Sequence, residues 1–248
     1  MLLPANRKSY AVSRKTHNRL LSRMDRADLS LLQAHLQPVD LPLRTKLEAR
    51  NKPIEYAYFL DDGLASVVAT GAKDSSIEVG IIGSDGVTAL SLIMGGKRAP
   101  HTTFIQVAGH GRRITADNLR GAMERSSSLR NVLLRYANAF FVQTTYTALS
   151  NGRCKIEERL ARWLLMAHDR LEREDLPLTQ EFLALMLGVH RPGVTGAIRK
   201  LAAIGLIANK RGAIRVLDRH GLKAASNGAY GPAEAELDLL FATSGQGS

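Results

Sequence analysis

One short segment constrains the fold of this chain more than any other, residues 178–216, which read LTQEFLALMLGVHRPGVTGAIRKLAAIGLIANKRGAIRV. Thr179 is a residue type that caps helices, and an apolar helix can run from it to Gly188, where glycine tolerates the positive φ of a sharp turn. A second helix follows, and Asn209 to Ala213 then separate two short β-prone pieces. Helix, turn, helix and hairpin in this order predict a winged helix-turn-helix.

The second helix of such a motif enters the major groove of DNA. It is assigned to residues 191–201, with Pro192 opening the first turn and Arg191 at or just before the cap, because proline disfavours the α region for the residue before it. The predicted DNA-binding residues lie on the outer face of this helix and on the hairpin: His190, Arg191, Thr195, Arg199, Lys200, Lys210 and Arg211.

Charge is concentrated in the same region. Residues 188–223 contain eight Lys or Arg and one acid, so about +7 of the net charge of +11 lies here. Such clustering favours duplex DNA, because bound cations release counterions from the phosphates. A protein that binds nucleic acid without sequence preference, or an architectural protein, would use the same basic surface and remains the alternative.

The region before this motif has a β pattern. Short β-prone stretches between residues 39 and 114 are separated by turn signals such as Asp61-Asp62-Gly63, and predict a small antiparallel sandwich or barrel. Alternation from Ile77 to Ile81 is typical of a strand with one buried face. The strands are expected at residues 57–60, 64–70, 77–82 and 103–108, with a short helix over residues 87–94.

A helical pattern follows from residue 127 to 151. Its apolar or small residues trace one face at a spacing of 4-3-4-4 and are predicted to form a homodimer interface: Leu133, Ala137, Phe140, Thr144 and Ala148. The same face could instead lie on the chain's own β domain. A further helix is expected over residues 156–171, with Trp163 in the core.

This order of parts resembles the cyclic-AMP receptor protein and FNR family of bacterial transcription regulators, over about residues 28 to 225. The resemblance is most specific in TQEFLALMLGVHRPGVTGAIRKLAAIGLI, where Arg191 matches the family's leading base-reading arginine. It implies an α+β fold with an N-terminal cyclic-nucleotide-binding-like β-roll (jelly roll), a long dimerisation helix and a C-terminal winged helix-turn-helix. Pro192 and Gly196 stand where the family commonly has further base readers, so the operator is expected to differ.

The resemblance also sets the expected domains and partners. The chain is divided into a basic arm or helix (1–27), the β-roll sensor (28–126), the dimerisation helix (127–155), the winged helix-turn-helix (156–226) and a tail (227–248) with a short helix over residues 233–241. The implied function is a transcription regulator that binds a two-fold site in double-stranded DNA as a homodimer. RNA polymerase is a further candidate partner, although no motif identifies a surface for it.

The expected effector site departs from that of cyclic-nucleotide binders. Those proteins use Gly-Glu to hold the ribose and Arg followed by Ser or Thr to hold the phosphate, whereas this chain has Gly86-Val87 and Arg98-Ala99. Valine cannot accept the ribose hydrogen bond, and such unpaired polar groups weaken binding. Cyclic AMP is therefore not expected, and any effector in this degenerate pocket is unidentified.

Other chemistry finds little support. Aspartates in turns (61, 62, 74 and 85) come without a nucleophile, metal set or phosphate loop, so no enzymatic activity is expected. Cys154 is the single cysteine, and the histidines have no metal-binding spacing. No cofactor or metal is assigned. The chain has no apolar run of membrane-spanning length and no signal-peptide pattern, so we expect a cytoplasmic protein with no membrane partner.

Overall fold

The computed structural model of the chain describes residues 17–72 and 75–242. The helices are α1 (Arg19–Ser22), α2 (Arg26–Gln33), α3 (Leu90–Ile93), α4 (Ala116–Arg125), α5 (Ser127–Arg153), α6 (Ile156–Leu171), α7 (Gln180–Leu187), α8 (Arg191–Ala203), α9 (Arg219–Ala225) and α10 (Pro232–Ala242). The strands are β1 (Gln37–Leu41), β2 (Lys46–Glu48), β3 (Tyr56–Thr70), β4 (Ser76–Ile82), β5 (Thr102–Thr115), β6 (Asp175–Leu176), β7 (Ile207–Lys210) and β8 (Ala213–Val216). Most of the basic arm and Asp74 lie outside the described residues.

The N-terminal sheet is antiparallel, with strand order β1-β5-β3-β4 and β2 on β5. The turn expected at Asp61-Asp62-Gly63 is wrong, because β3 continues through it for 15 residues. Register shifts against β5 on either side of Asp62 absorb the extra residues, as β-bulges do. Gly63 adopts φ +92, and a Cβ there would lie 2.7 Å from the Val107 carbonyl oxygen.

The short helix expected over residues 87–94 is confined to α3 at residues 90–93. Val87 instead forms a β-bridge with Phe59, and its side chain is fully buried. Ala89 has φ 61, a left-handed conformation that cannot belong to an α-helix. The bridge and this residue together delay the start of the helix.

The long helix α5 runs for 27 residues from its cap at Ser126, whose hydroxyl accepts the Leu129 N–H at 3.1 Å. Leu133 and Ala137 belong to the core formed by α4, α5 and the ends of β3 and β5, and Phe140 belongs to the core inside the sheet. This side of α5 is therefore covered by the protomer's own β domain.

The tail helix α10 confirms the helix expected over residues 233–241 and packs along α5. Leu237, Leu240 and Phe241 are buried there, while Leu239 is exposed and its carbonyl accepts the Arg135 Nη2–H at 3.1 Å. The Arg19 guanidinium lies 4.3 Å from the centre of the Phe241 ring. The C-terminus of the described chain thus returns to the N-terminal domain.

The C-terminal module contains α6 to α9 and a three-stranded sheet of order β6-β8-β7. Helix α6 has the predicted bounds, and Trp163 is buried as expected. The core of the C-terminal module is continuous with Leu64, Ile81 and Val107 of the β domain. Among the described residues, no helix has the length and apolar character needed to cross a bilayer.

Two glycines with opposite surroundings should respond oppositely to alanine. Gly196 lies inside α8, and a Cβ added there would have nothing within 4 Å, so Gly196→Ala should raise the free energy of unfolding by about 0.5–1 kcal/mol through helix propensity. A Cβ at Gly86 would overlap the Tyr136 hydroxyl, so Gly86→Ala should lower it by about 1–3 kcal/mol. Urea denaturation measures both, and equal midpoints for the two variants would contradict this packing.

Candidate nucleic-acid interface

The helix-turn-helix is built from local capping signals. The Thr179 hydroxyl accepts the Phe182 N–H at 3.3 Å, and α7 ends at Gly188 with φ 58, as predicted. Helix α8 begins at Arg191, the first residue of the assigned range 191–201, so Arg191 is a helical residue and not the cap. The His190 carbonyl accepts N–H groups from Gly193 and Val194, which makes His190 the cap, and Pro192 has no N–H that the first turn would leave unpaired.

Packing between α7 and α8 fixes which side of α8 is outward. Val194, Ala197 and Ile198 are buried against the module's core, whereas Arg191 and Arg199 are exposed. Thr195 is half-buried, and its hydroxyl lies 2.9 Å from Gln180 Oε1 of α7. The Thr195 hydroxyl therefore holds the two helices together in this structure.

The predicted DNA-binding cations fall into two groups. Lys200 pairs with Glu157 at 2.9 Å, and Lys210 pairs with Asp175 at 2.9 Å. The side chains of His190, Arg191, Arg199 and Arg211 make no hydrogen bond or ion pair with any residue of the described chain, and all four are exposed. The three arginines of the unpaired group therefore present their charge to solvent.

The wing is the hairpin of β7 and β8, with Gly212 in its turn at φ 75. The Asp175 carboxylate of β6 accepts hydrogen bonds from Arg215 and Lys210, and these bonds hold the pKa of the carboxyl below its ordinary value. Arg211 lies at the tip beside Gly212 and is exposed. Two cations of the hairpin are therefore paired with Asp175 at the surface, and Arg211 is left without a partner in the described chain.

The module contacts the β domain through a buried polar junction. Trp163 Nε1–H donates to Glu78 Oε1 at 2.5 Å, and Arg170 pairs with Asp85 at 3.0 Å, with both carboxylates buried. The Met186 sulfur of α7 lies 3.5 Å from the Ser66 hydroxyl of β3. These contacts connect α6 and α7 directly to the sheet.

Sequence alternation missed this junction, because it assigns Glu78 to the exposed face of β4. In the structure α5 and α6 cover that face, and Glu78 is only 3% exposed. Burial raises the pKa of Glu78 to about 8, against hydrogen bonds from Ser66 and Trp163 that lower it. A Trp on an otherwise amphipathic helix opposite a strand glutamate is the signal that could have suggested the pair.

The expected effector residues do not form one site. Val87 is fully buried in the core, and Gly86 lies against Tyr136, so neither is open to a ligand. Arg98 is exposed and donates from Nη1 to the Asn51 carbonyl at 3.0 Å. Of these four residues, Ala99 is the one that lines a cavity of about 220 Å³ between the sheet, α3 and α5.

The expected dimer face is also corrected. Leu133 is fully buried within its own protomer, and Ala137 and Phe140 are 6% and 9% exposed. Thr144 lines the cavity, and Ala148 alone of the five is exposed. The spacing identified a genuine helix face, but it is the face that packs on the β domain.

No group of three His, Cys, Asp or Glu side chains in residues 17–72 and 75–242 is placed to hold a metal ion. Three of the four aspartates that the sequence assigned to turns have structural partners. Asp61 pairs with Arg112 at 3.3 Å, Asp62 pairs with Arg173, and Asp85 pairs with Arg170.

Comparison with known proteins agrees with this geometry. Residues 158–225 match the model of the Crp-like helix-turn-helix domain. No curated protein sequence matches the chain. Among solved structures, the chain is similar to FixK2 from Bradyrhizobium japonicum (16% identity, TM-score 0.68, covering 77% of this chain and 96% of that one). It is also similar to the c-di-GMP responsive global regulator CLP of Xanthomonas campestris (19% identity, TM-score 0.62, covering 78% of this chain and 100% of that one). A third similar structure is TTHB099, a CRP-family transcriptional regulator from Thermus thermophilus (17% identity, TM-score 0.62, covering 78% of this chain and 98% of that one).

Residues 158–225 therefore form a helix-turn-helix domain, a DNA-binding type of domain, which follows an antiparallel β domain and a long helix on the same chain. Over most of its described length the chain shares the fold of these solved structures, and its C-terminal domain is Crp-like.

The pKa of Glu78 predicts a pH dependence of stability. Because the folded pKa of about 8 lies above that of an unfolded glutamate, the folded chain holds a proton that the unfolded chain loses. The protonated Glu78 therefore contributes to the free energy of unfolding. This contribution is fully present below about pH 4.3 and is lost as the pH rises towards 8, where the free energy of unfolding falls by up to ~1.4 kcal/mol per pH unit. Glu78→Gln should remove the slope in urea denaturation between pH 5 and 8.

Trp163→Phe serves as the control, because it deletes the indole donor and leaves the Glu78 carboxyl able to titrate. It should lower stability while keeping a decline with pH. A Glu78→Gln protein whose stability falls with pH as steeply as that of the wild type would contradict a buried protonated carboxyl.

Proposed function

We propose that the protein is a sequence-specific regulator that binds a two-fold site in double-stranded DNA as a homodimer, with α8 in the major groove. The observation that carries this proposal is the outward face of α8, where Arg191 and Arg199 are exposed and have no partner in the described chain. Exposed guanidinium groups on the outer face of a helix-turn-helix suit base edges and phosphates.

The cations take different roles in this proposal. Arg191, in the first turn of α8, is placed to fork onto a guanine edge, with His190 beside it. Arg199 lies two turns further along and Arg211 at the wing tip, where phosphates are the expected partners. Lys200 and Lys210 add charge only by leaving or sharing their carboxylate partners. Thr195 positions α8 against α7.

The dimer interface is assigned to a different face of α5 from the one the sequence suggested. The outer stripe comprises Leu134, Asn138, Phe141, Thr145 and Leu149, one residue on from the buried face and again at helical spacing. Leu134, Phe141 and Leu149 are 40%, 64% and 52% exposed, which is unusual for large apolar side chains along one helix. Two copies that pair this stripe would bury it and set two α8 helices side by side.

The remaining parts of the proposal concern control. An effector in the cavity between the sheet and α5 would contact the same helix that carries the outer stripe. RNA polymerase would be the partner if the protein activates transcription, and the cytoplasm is where these partners meet.

Arg191→Ala tests base recognition. On the duplex that the wild-type protein enriches from a random pool, the variant should lose ~1–3 kcal/mol of discrimination between the enriched and a scrambled sequence. The control Arg211→Ala should weaken binding to both duplexes equally and reduce the salt slope by about 1. Unchanged discrimination in Arg191→Ala would contradict the role of this residue. A wild-type protein that enriches no sequence would favour an architectural protein instead.

Phe141→Glu tests the outer stripe. A charge at the centre of an interface built on large apolar side chains should convert a dimer to a monomer in sedimentation velocity and weaken binding to the two-fold duplex. Leu43→Glu, which changes an exposed leucine of the β1–β2 turn, should leave the dimer intact. If Phe141→Glu remains dimeric, the interface lies elsewhere.

A further inference from the structure

The cavity beside α5 has a chemical character of its own. Its volume is about 220 Å³, and apolar side chains from three elements form most of its wall. Val67 comes from β3, Leu90 and Met94 come from the α3 region, and Phe140 and Phe141 come from α5. Phe141 also belongs to the outer stripe, so the cavity opens beside the proposed dimer interface.

One carboxylate stands in this apolar wall. Glu48 accepts a hydrogen bond from the Thr103 hydroxyl at 2.6 Å and another from the Ala89 N–H. A carboxylate has about four lone-pair positions, so two of them are left for a ligand. Thr103 and the backbone at Ala89 thus hold the group in place, while burial raises its pKa.

The cavity contains no positive charge to match an anion. No lysine or arginine is among the described residues that line it, and Arg98 turns outward to the Asn51 carbonyl. His101 is among the lining residues, and burial, followed by the nearby Arg50, lowers its pKa, which favours the neutral ring. An anionic ligand would meet the Glu48 carboxylate in a weakly polar site, where like charges repel strongly.

We propose that this cavity binds a small, uncharged aromatic molecule that donates an N–H or O–H hydrogen bond to Glu48, and that it rejects anions such as cyclic nucleotides. Benzene fills a cavity of about 150 Å³, so about 220 Å³ suits one or two fused rings. The rings would pack between Met94 and the Phe140 and Phe141 side chains. The role of such a ligand as an effector rests on the proposed DNA-binding function, whereas its binding to the cavity does not.

Isothermal titration calorimetry with three probes tests the site on the full chain. Indole carries the N–H donor, N-methylindole lacks it, and cyclic AMP is an anion. We expect indole to bind and N-methylindole to bind about tenfold more weakly, because a buried acceptor is left unpaired. Cyclic AMP should show no heat of binding. Equal affinity for the two indoles, tighter binding of cyclic AMP, or no binding of indole at about 5 mM would each overturn the proposal.

Two variants locate the site. Ala137→Leu fills the cavity from α5 and should reduce indole affinity at least tenfold, with folding checked by its circular dichroism melt. Glu48→Gln removes the negative charge, so indole-3-acetate, which the wild type should reject, should gain at least fivefold in affinity. Indole binding that both variants leave unchanged places the ligand elsewhere and overturns the assignment. Selection of duplexes by the same samples, without ligand, shows separately whether DNA binding holds.

Discussion

Burial of one side of α5 is the constraint on which the rest of the structure depends. At 27 residues the helix is about 40 Å long, and Leu133 and Phe140 anchor it to the β domain. Helix α10 covers a second side, so the chain's own packing leaves outward one stripe that carries three large apolar side chains. Because side chains on a helix keep fixed angular positions, packing of the inner side determines which residues are left for the second copy that we propose.

The C-terminal module is held on the β domain by a junction in which apolar packing surrounds a few buried polar groups. Glu78 and Asp85 belong to the β domain, and Trp163 and Arg170 belong to α6. On β3, Val67 lines the cavity while its neighbour Ser66 contacts Met186 of α7. Successive residues of one strand point to opposite faces, so a ligand and the helix-turn-helix would share this strand.

Local signals in the sequence were sufficient to predict the helix-turn-helix. Thr179 and Gly188 determine the two ends of α7 through their own capping chemistry, which depends little on the rest of the fold. Long-range packing decided the rest. Spacing placed Leu133 on a helix face without telling which surface that face meets. Alternation placed Glu78 outward because it cannot show that helices cover both sides of a sheet, and Gly86 sits against Tyr136 for a tertiary reason invisible in sequence.

Hydroxyl-radical footprinting of the protein on a duplex that it enriches from a random pool tests the central claim most directly. If two copies pair through α5 and place their α8 helices in successive major grooves, two symmetric patches about 10 base pairs apart should be protected on one face of the duplex. Protection of a single patch, or uniform protection without a two-fold centre, would contradict a paired reading of DNA by this fold.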